Sequence, residues 1–355
     1  MNFLIINIKQ LLQAEVKPKN YVSGKQMAKL PILKNAFLYI ESGRIRDFGK
    51  MEDLSSGRER YFTMSEKIID ASDKIILPTW CDSHTHIVYA GSREKEFVDK
   101  IKGLSYEEIA KRGGGILNSA ALLQQTSEDS LYEQASQRLK EIMALGTGAV
   151  EIKSGYGLSP EAEIKMLRVV KRLKENFPIK IKSTFLGAHA IPPQYKENPD
   201  EYVDIVINEM LPVIAGEDLA DFIDVFCDKG FFSPEQTERI LMAGMKYGLR
   251  AKIHANELDH SGGIEVGVKY HALSVDHIEY TSDDDIQLLL ESDTMPTVLP
   301  GAAFFLNMPL APARKMIDAG LPVAFASDYN PGSSPSGNMN LVLSMACIRY
   351  KLLPE

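Results

Sequence analysis

Two histidines separated by one residue, His84 and His86, are the first side chains whose type and spacing suggest chemistry. Alternate side chains of a strand share one face, so both imidazoles would point the same way if the segment is extended. Two imidazoles on one face are suited to bind a single Zn²⁺ or iron ion. The pair therefore predicts a metal site, and the elements around it must complete the ligand set.

The histidines fall into two groups by position. Five of the seven lie at the ends of short apolar runs: His84, His86, His189, His254 and His277. One histidine at a strand end is more often a satisfied core residue than a ligand, but five at equivalent ends favour a shared site. His260 and His271 fall in helical or loop contexts and are predicted to be structural or at the surface.

Eight short apolar runs alternate with amphipathic stretches from about residue 75 onward. The runs cover residues 75–77, 149–152, 181–186, 222–226, 251–253, 273–275, 297–299 and 323–326. Ser105 and Ser233 each begin a capping-box pattern, and Ser159 precedes a proline suited to the first helical position. Eight buried strands alternating with helices predict either a closed (β/α)8 barrel or a doubly wound sheet.

The residues that follow the runs favour the barrel. Polar or special residues occur at every run's end, namely His84 and His86, residues 153–156, His189, Asp228, His254 with Glu257, His277, Gly301 and Asp328. Chemistry gathered at the carboxyl ends of many strands is typical of a (β/α)8 barrel, whereas an open sheet concentrates it at one switch point. We therefore expect an α/β fold of the TIM-barrel type over residues 76–355.

The first 75 residues have a different texture. Residues 36–40 form an apolar, β-prone run, residues 41–44 form a turn, and Ile45 and Phe48 resume the apolar pattern. No long helical period occurs here. We expect a small β-sandwich domain over residues 1–75.

His254 and Asp328 would complete a metal shell of three imidazoles and one carboxylate. One position would stay open for water, as a catalytic site requires, and the ion would lower the pKa of that water toward roughly 7. A second metal would need a bridging lysine at the end of the fourth barrel strand. Lys229 lies one or two residues past that end and is predicted to be an ordinary exposed lysine. We therefore expect one ion, Zn²⁺ or iron.

Two further side chains complete a hydrolytic mechanism. Glu257 lies three residues after His254, from where it could move protons to and from the attacking water. His277 could donate a hydrogen bond to the oxygen that becomes negative during attack. Taken alone Glu257 would be a surface residue, but beside His254 it is predicted to be catalytic, together with His277 and Asp328.

Composition excludes several classes of partner. The formal charge of −8, without a concentrated basic face, argues against nucleic acid. No apolar run is long enough to span a membrane. Cys81, Cys227 and Cys347 are widely spaced and odd in number, which predicts no disulfide framework and fits a reducing cytoplasm.

Gly113, Gly114 and Gly115 lack the Lys-Ser/Thr of a phosphate loop, so a mobile loop near the barrel mouth is expected instead.

Several ordered segments resemble the imidazolonepropionase family of the amidohydrolase superfamily. They cover residues 82–86, 90–94, 113–117, 151–158, 184–189, 299–301, 304–306 and 326–333. The most specific are Glu-Ile-Lys-Ser-Gly-Tyr-Gly at residues 151–157 and Ser-Asp-Tyr-Asn-Pro-Gly-Ser at residues 327–333. The resemblance runs from about residue 75 to the end of the chain.

The resemblance implies hydrolysis of 4-imidazolone-5-propanoate to N-formimidoyl-L-glutamate, the third step of histidine breakdown. It implies that the metal is held by His84, His86, His254 and Asp328. It also implies that a small anionic substrate is bound by Arg93, Tyr156, His189, Glu257, Asn330, Gly332 and Ser333. Arg93 suits the propanoate because a guanidinium can bind a carboxylate through two parallel hydrogen bonds.

The resemblance carries two more expectations. Family members continue for some tens of residues beyond a segment like 347–355, so the small domain is expected to lack its C-terminal part. The family also implies a homodimer.

Two alternatives stay open at this point. The His254-x-x-Glu257 spacing also suits a deaminase of the same superfamily acting on a ring amidine, although a neutral base would give Arg93 no anion to bind. A chain that binds metal but is unstable or inactive is the third hypothesis.

Overall fold

The computed structural model describes residues 1–104 and 115–354. The chain divides into two compact units, Met1–Thr79 and Trp80–Pro354. The capping box predicted at Ser105 and the glycines Gly113 and Gly114 lie outside the described residues.

The first unit is built on one mixed five-stranded sheet. Its strands are β1 (Phe3–Leu12), β2 (Ile32–Glu41), β3 (Arg44–Lys50), β4 (Lys67–Asp70) and β5 (Ile75–Ile76). Strand β1 pairs antiparallel with β2 and parallel with both β4 and β5, and β2 pairs antiparallel with β3. Short helices cover Gly24–Ala28, Met51–Ser55 and Arg60–Met64.

Strand β2 shows why this segment folds as a sheet with both faces covered. Phe37 and Tyr39 pack into one buried cluster, while Ala36 and Leu38 pack into a second. Successive side chains of a strand point to opposite faces, so an unbroken apolar run fills both layers. The predicted small β domain is confirmed as this mixed sheet.

The second unit contains eight parallel strands in sequence order. They are β6 (Trp80–Asp82), β7 (Thr147–Lys153), β8 (Lys180–Ala188), β9 (Phe222–Cys227), β10 (Arg250–Ala255), β11 (Ser274–His277), β12 (Met295–Val298) and β13 (Ala324–Phe325). Each strand pairs with the next one along the chain, which is the order of a (β/α)8 barrel. The predicted barrel is therefore confirmed.

The barrel closes between its last and first strands through the segments that carry the predicted metal ligands. Thr85 and Tyr329 form a parallel bridge, the backbone N–H of His86 donates to the carbonyl of Tyr329 at 2.9 Å, and that of Asp328 donates to His84 at 3.0 Å. His84, His86 and Asp328 are thus fixed by the same hydrogen bonds that close the barrel.

Helices occupy the connections between the barrel strands. They cover Glu94–Ile101, Ile116–Gln125, Glu128–Ala144, Pro160–Asn176, Pro199–Ile205, Leu211–Gly216, Pro234–Lys246, Gly263–Lys269, Asp283–Leu290, Pro300–Leu306, Ala313–Ala319 and Met339–Tyr350, with a 3-10 turn at Pro193–Tyr195 and a π turn at Val206–Met210. The predicted capping box is present at Ser233, whose hydroxyl accepts from the N–H of Gln236 at 3.2 Å. Ser159 likewise caps the helix that begins at Pro160.

One predicted strand is wrong. The run at residues 75–77 was assigned to the first barrel strand, but Ile75–Ile76 pairs with β1 in the small sheet. The first barrel strand is Trp80–Asp82, which has only three residues and is too short to stand out in the sequence. The more apolar neighbour therefore masks it in the sequence.

Among the described residues, no helix combines the length and apolar character needed to cross a membrane.

Candidate active site

The predicted metal ligands come together at the carboxyl ends of the barrel strands. His84 and His86 follow β6, His254 lies near the end of β10, and Asp328 follows β13; all four are buried. Nε2 of His84 lies 3.3 Å from Nε2 of His86, and Oδ1 of Asp328 lies 3.5 Å from each of these two nitrogens. His254 joins the two histidines in a group whose ligand atoms are all within 4.8 Å of one another.

Carboxylates lie close behind two of the imidazoles. Nδ1 of His84 lies 2.7 Å from Oδ2 of Asp276, and Nδ1 of His254 lies 3.0 Å from Oδ2 of Asp224. A hydrogen on each Nδ1 would leave Nε2 bare and aimed into the cluster, which is the tautomer that binds a metal. Both carboxylates were missed by the sequence analysis, although Asp276 directly precedes His277.

The donor set fits a metal ion. Among the described residues, Nε2 of His254 and Oδ1 of Asp328 are buried and have no hydrogen-bond partner, which a bound cation would supply. Burial lowers the pKa of His84 and of His86, and so keeps both imidazoles in the neutral form that metals bind. Three imidazoles and one carboxylate suit Zn²⁺ or iron.

Asp328 has one oxygen held and one free. Oδ2 accepts from Nδ2 of Asn330 at 2.9 Å and from Oγ of Ser333 at 3.3 Å, so only Oδ1 faces the imidazoles. Burial raises the pKa of Asp328 to about 7, against the opposing effects of His254, Asn330 and Ser333. A cation beside Oδ1 would favour the ionised carboxylate.

Glu257 and His277 lie beside the ligand cluster. Oε2 of Glu257 is 3.5 Å from Nε2 of His277. Burial, together with Glu279, Asp328 and Asp228, raises the pKa of Glu257 well above its ordinary value. A buried carboxyl of raised pKa beside an imidazole is an arrangement that can exchange protons with water near neutral pH.

Glu279 is a buried acid that the sequence analysis missed. Its Oε2 lies 3.8 Å from Nδ1 of His277, and neither carboxyl oxygen has a hydrogen-bond partner among the described residues. Burial raises the pKa of Glu279 well above its ordinary value. The side chain thus stands behind His277, on the far side from Glu257.

The predicted substrate-binding residues form the wall next to His86. The rings of Tyr156 and His189 are 5.8 and 5.2 Å from that of His86, and the guanidinium of Arg93 lies 5.9 Å from the Tyr156 ring. Nε of Arg93 donates to Oγ of Ser119 at 2.8 Å, whereas Nη2 is buried and has no hydrogen-bond partner among the described residues. A buried cation with free donors is suited to an anion.

The segment from Asn330 to Ser333 faces the same guanidinium. Oδ1 of Asn330 accepts from the N–H groups of Gly332 and Ser333, each at 2.8 Å, which fixes a tight turn. A Cβ atom on Gly332 would overlap the guanidinium of Arg93, so a larger residue here would displace that guanidinium. The structure therefore brings Arg93, Asn330, Gly332 and Ser333 to one place.

A buried carboxylate, also missed in the sequence, shapes the turn that carries Tyr156. Glu163 accepts hydrogen bonds from the N–H groups of Gly155, Gly157 and Leu158, at distances of 2.6 to 2.9 Å. Three bonds to one carboxylate hold this turn rigidly.

The residues excluded from the site lie elsewhere. Lys229 is exposed and pairs with Asp259 at 2.9 Å, as expected of an ordinary surface lysine. His260 is also exposed and packs edge-on against Tyr280, and His271 is exposed.

Comparisons with known proteins identify relatives of this chain. No protein-family model matches it. The imidazolonepropionase of Christiangramia forsetii is 58% identical over 355 residues, covering 100% of this chain and 85% of the relative. That of Flavobacterium johnsoniae is 57% identical, covering 99% and 84%. That of Caldanaerobacter subterraneus subsp. tengcongensis is 43% identical, covering 100% and 83%.

Solved structures with low sequence identity share the fold. The guanine deaminase of C. acetobutylicum has a TM-score of 0.63 at 17% identity, covering 99% of this chain and 80% of that chain. The ochratoxinase of A. niger has a TM-score of 0.67 at 17% identity, covering 99% and 81%. Given the identity to its sequence relatives over almost its whole length, the chain belongs to the imidazolonepropionase family.

Proposed function

We propose that this chain opens the cyclic amide of 4-imidazolone-5-propanoate to give N-formimidoyl-L-glutamate, the third step of L-histidine degradation. Membership of the imidazolonepropionase family supports the reaction. The observation that carries the choice of substrate is the buried Nη2 of Arg93, which has no hydrogen-bond partner among the described residues. The guanidinium lies 5.9 Å from the ring of Tyr156, and that ring lies 5.8 Å from the ring of His86. A small anionic ring amide would pair its carboxylate with this cation while its carbonyl faces the histidines.

We assign one metal ion to His84, His86, His254 and Asp328, and Zn²⁺ and iron both suit this donor set. When bound, such an ion supplies Lewis acidity, which polarises an amide carbonyl and favours ionisation of water. Asp276 and Asp224 keep His84 and His254 in the tautomer that can ligate.

The protein's own groups carry the protons. Hydrolysis adds hydroxyl to the carbonyl carbon, breaks the ring C–N bond and leaves a hydrogen on the departing nitrogen. Glu257 accepts a proton from the attacking water and returns it to that nitrogen, for which its raised pKa suits it. Asp328 is also proposed to be catalytic, and its Oδ1 faces the imidazoles of His84 and His86.

His277 stabilises the charge that develops on the carbonyl oxygen. Burial lowers its pKa, so the ring stays neutral and acts as a hydrogen-bond donor rather than as an acid. Its ring lies 3.5 Å from Glu257, which suits a donor and a proton carrier that act on the same carbonyl group.

Substrate orientation falls to the wall next to His86. Arg93 binds the propanoate, and the turn from Asn330 to Ser333 closes around it through Gly332 and Ser333. Tyr156 and His189 flank the ring, and Nδ1 of His189 is held by the carbonyl of Gly155 at 3.0 Å. This arrangement would turn the ring carbonyl toward the catalytic groups.

Product analysis of the metal-loaded chain tests the proposal. We expect 4-imidazolone-5-propanoate to be consumed and N-formimidoyl-L-glutamate to appear in equal amount, without ammonia. A folded, metal-loaded protein that leaves this substrate intact would overturn the proposal. Ammonia released from guanine or another ring amidine would favour the deaminase alternative instead.

We also propose a homodimer in the cytoplasm. The family resemblance supports the dimer, and the free thiols of Cys81, Cys227 and Cys347 suit a reducing compartment. Light scattering of the purified chain at several concentrations tests the dimer; a monomer mass throughout would contradict it.

A further inference from the structure

A fully buried lysine lies behind the ligand cluster. Lys153 is the last residue of β7, and its Nζ lies 2.8 Å from Oδ2 of Asp224, 2.8 Å from Oε1 of Glu151 and 3.9 Å from Oδ2 of Asp276. An ammonium has three hydrogens to share and no accepting atom, so it can hold several carboxylates at once. Nothing in the proposed reaction uses this group directly.

Two of these three carboxylates are the ones that contact ligand imidazoles. Oδ2 of Asp224 is also the atom 3.0 Å from Nδ1 of His254, and Oδ2 of Asp276 is also the atom 2.7 Å from Nδ1 of His84. One ammonium therefore lies near two carboxylate oxygens, 2.8 Å from that of Asp224 and 3.9 Å from that of Asp276, and each oxygen faces one ligand imidazole.

Glu151 has a different set of contacts. It accepts from Lys153, from the hydroxyl of Thr184 and, at 3.4 Å, from the backbone N–H of Thr85, the residue between His84 and His86. Among the described residues its side chain has no contact with a ligand imidazole, so it supports the ligand segment through the backbone, whereas Asp224 faces an imidazole.

A second lysine, Lys252, contacts Asp276, the carboxylate behind His84. Nζ of Lys252 lies 3.1 Å from Oδ2 of Asp276 and 2.7 Å from Oγ of Ser274. Asp276 would therefore keep a cationic partner if Lys153 were lost. Asp224 would not, because Lys153 is its one lysine or arginine partner among the described residues.

The positive charge of Lys153 balances the buried carboxylates around it. Burial lowers the pKa of Lys153. The neighbouring carboxylates of Asp224, Glu151 and Asp276 raise it by more, so the pKa lies above its ordinary value. The ammonium is charged, and its removal would leave buried carboxylates that reorient to find other donors. A carboxylate that turns away no longer fixes its imidazole.

We propose that Lys153 is a positioning residue of the metal centre: its ammonium binds Asp224 directly and adds a positive charge beside Asp276, so that His254 and His84 present Nε2 to the same point. The inference rests on the metal ligands proposed above. It concerns how tightly the site holds a metal, which can be measured without turnover.

The test compares metal binding by the wild-type chain and by Lys153→Met, which keeps the length of the side chain and removes the charge. Zn²⁺ affinity is measured by competition with a chelator, and the geometry of the site by the d–d absorption of the Co²⁺-loaded protein. We expect the Zn²⁺ dissociation constant to rise by about 10- to 100-fold and the Co²⁺ bands to change. We expect the position of His254 to change more than that of His84, because Asp276 keeps Lys252 as a partner.

A charge-balanced variant guards against misfolding. Lys153→Met combined with Glu151→Gln removes one positive and one negative charge, so the buried group keeps its net charge. Cooperative thermal melts of the metal-free variants show which are folded. The folded variant, single or double, is expected to show the same loss of Zn²⁺ affinity.

Lys174→Met is the matched control. Nζ of Lys174 also lies 2.8 Å from a carboxylate, Oδ2 of Asp221, but this pair is partly exposed and Asp221 keeps Lys182 as a partner. We expect unchanged Zn²⁺ affinity and unchanged Co²⁺ bands.

The outcomes separate the two proposals. A folded Lys153 variant with wild-type Zn²⁺ affinity and wild-type Co²⁺ bands overturns the role of Lys153 and leaves the proposed function standing. A wild-type chain that binds no metal at the histidines overturns the proposed metal centre itself.

Discussion

Oδ2 of Asp276 lies 2.7 Å from Nδ1 of His84, and both side chains are fully buried at the point where the barrel closes. This pair fixes the orientation of the first imidazole in the sequence motif. The negative charge behind the ring also makes Nε2 a stronger ligand.

Asp276→Asn tests that relationship. An amide keeps the size of the side chain but loses the charge and accepts a weaker hydrogen bond, so we expect metal affinity to fall by about 10- to 100-fold. Chelator competition measures the loss. Asp259→Asn, at an exposed pair with Lys229, should leave the affinity unchanged. Equal affinity in Asp276→Asn and wild type would contradict the assignment.

Glu257→Gln tests proton transfer. The amide cannot carry a proton between water and the departing nitrogen, so kcat should fall by about 100- to 10 000-fold while metal content stays close to wild type. Glu265→Gln, at an exposed position on the helix Gly263–Lys269, serves as the control. If Glu257→Gln kept wild-type kcat, another group would have to move the proton.

Arg93→Met tests recognition of the propanoate. Loss of a charge-assisted hydrogen bond costs about 1.5–3 kcal/mol, which corresponds to a fall of about 10- to 150-fold in kcat/KM. Steady-state kinetics should show most of the change in KM. Arg168→Met, which removes an exposed pair with Glu217, should have little effect. A ring amide without the carboxylate should be hydrolysed equally by wild type and Arg93→Met, and a large difference there would contradict the role of Arg93.

Glu279 predicts a pH dependence of stability. Its pKa in the folded state is raised, so the folded chain holds a proton that the unfolded chain releases, and the resulting stabilisation is lost as pH rises through the folded pKa. Glu279→Gln removes this dependence. We expect the variant to gain about 1–3 kcal/mol in the free energy of unfolding relative to wild type at high pH, and much less at low pH. Urea unfolding at several pH values measures the difference; a gap that narrows as pH rises would contradict the sign.

Much of the barrel follows from its sequence because buried parallel strands are short apolar runs with polar residues after them. Seven of the eight predicted runs correspond to barrel strands. The exception, at residues 75–77, arises because β6 has only three residues and the longer apolar run just before it pairs with β1 instead.

Some residues of the site can be predicted from the sequence and others cannot. Side chains after the strands, such as His84, His254 and Asp328, stand out in the sequence. Those inside strands do not, because a charged residue such as Asp224 or Lys153 in an apolar run looks like an interruption. They come together because β7, β9 and β11 are alternate strands of the barrel, whose inward side chains share a layer, and the pattern of a single strand carries no information about that layer.

Stepwise metal loading of the metal-free chain, with the rate of N-formimidoyl-L-glutamate formation measured at each step, is the most direct test of a single metal site that drives ring hydrolysis. We predict that activity rises linearly with Zn²⁺ or Fe²⁺ and saturates at about one ion per chain, and that His254→Ala neither retains the ion nor turns over substrate. Full activity in the metal-free chain, or wild-type turnover by His254→Ala, would contradict it.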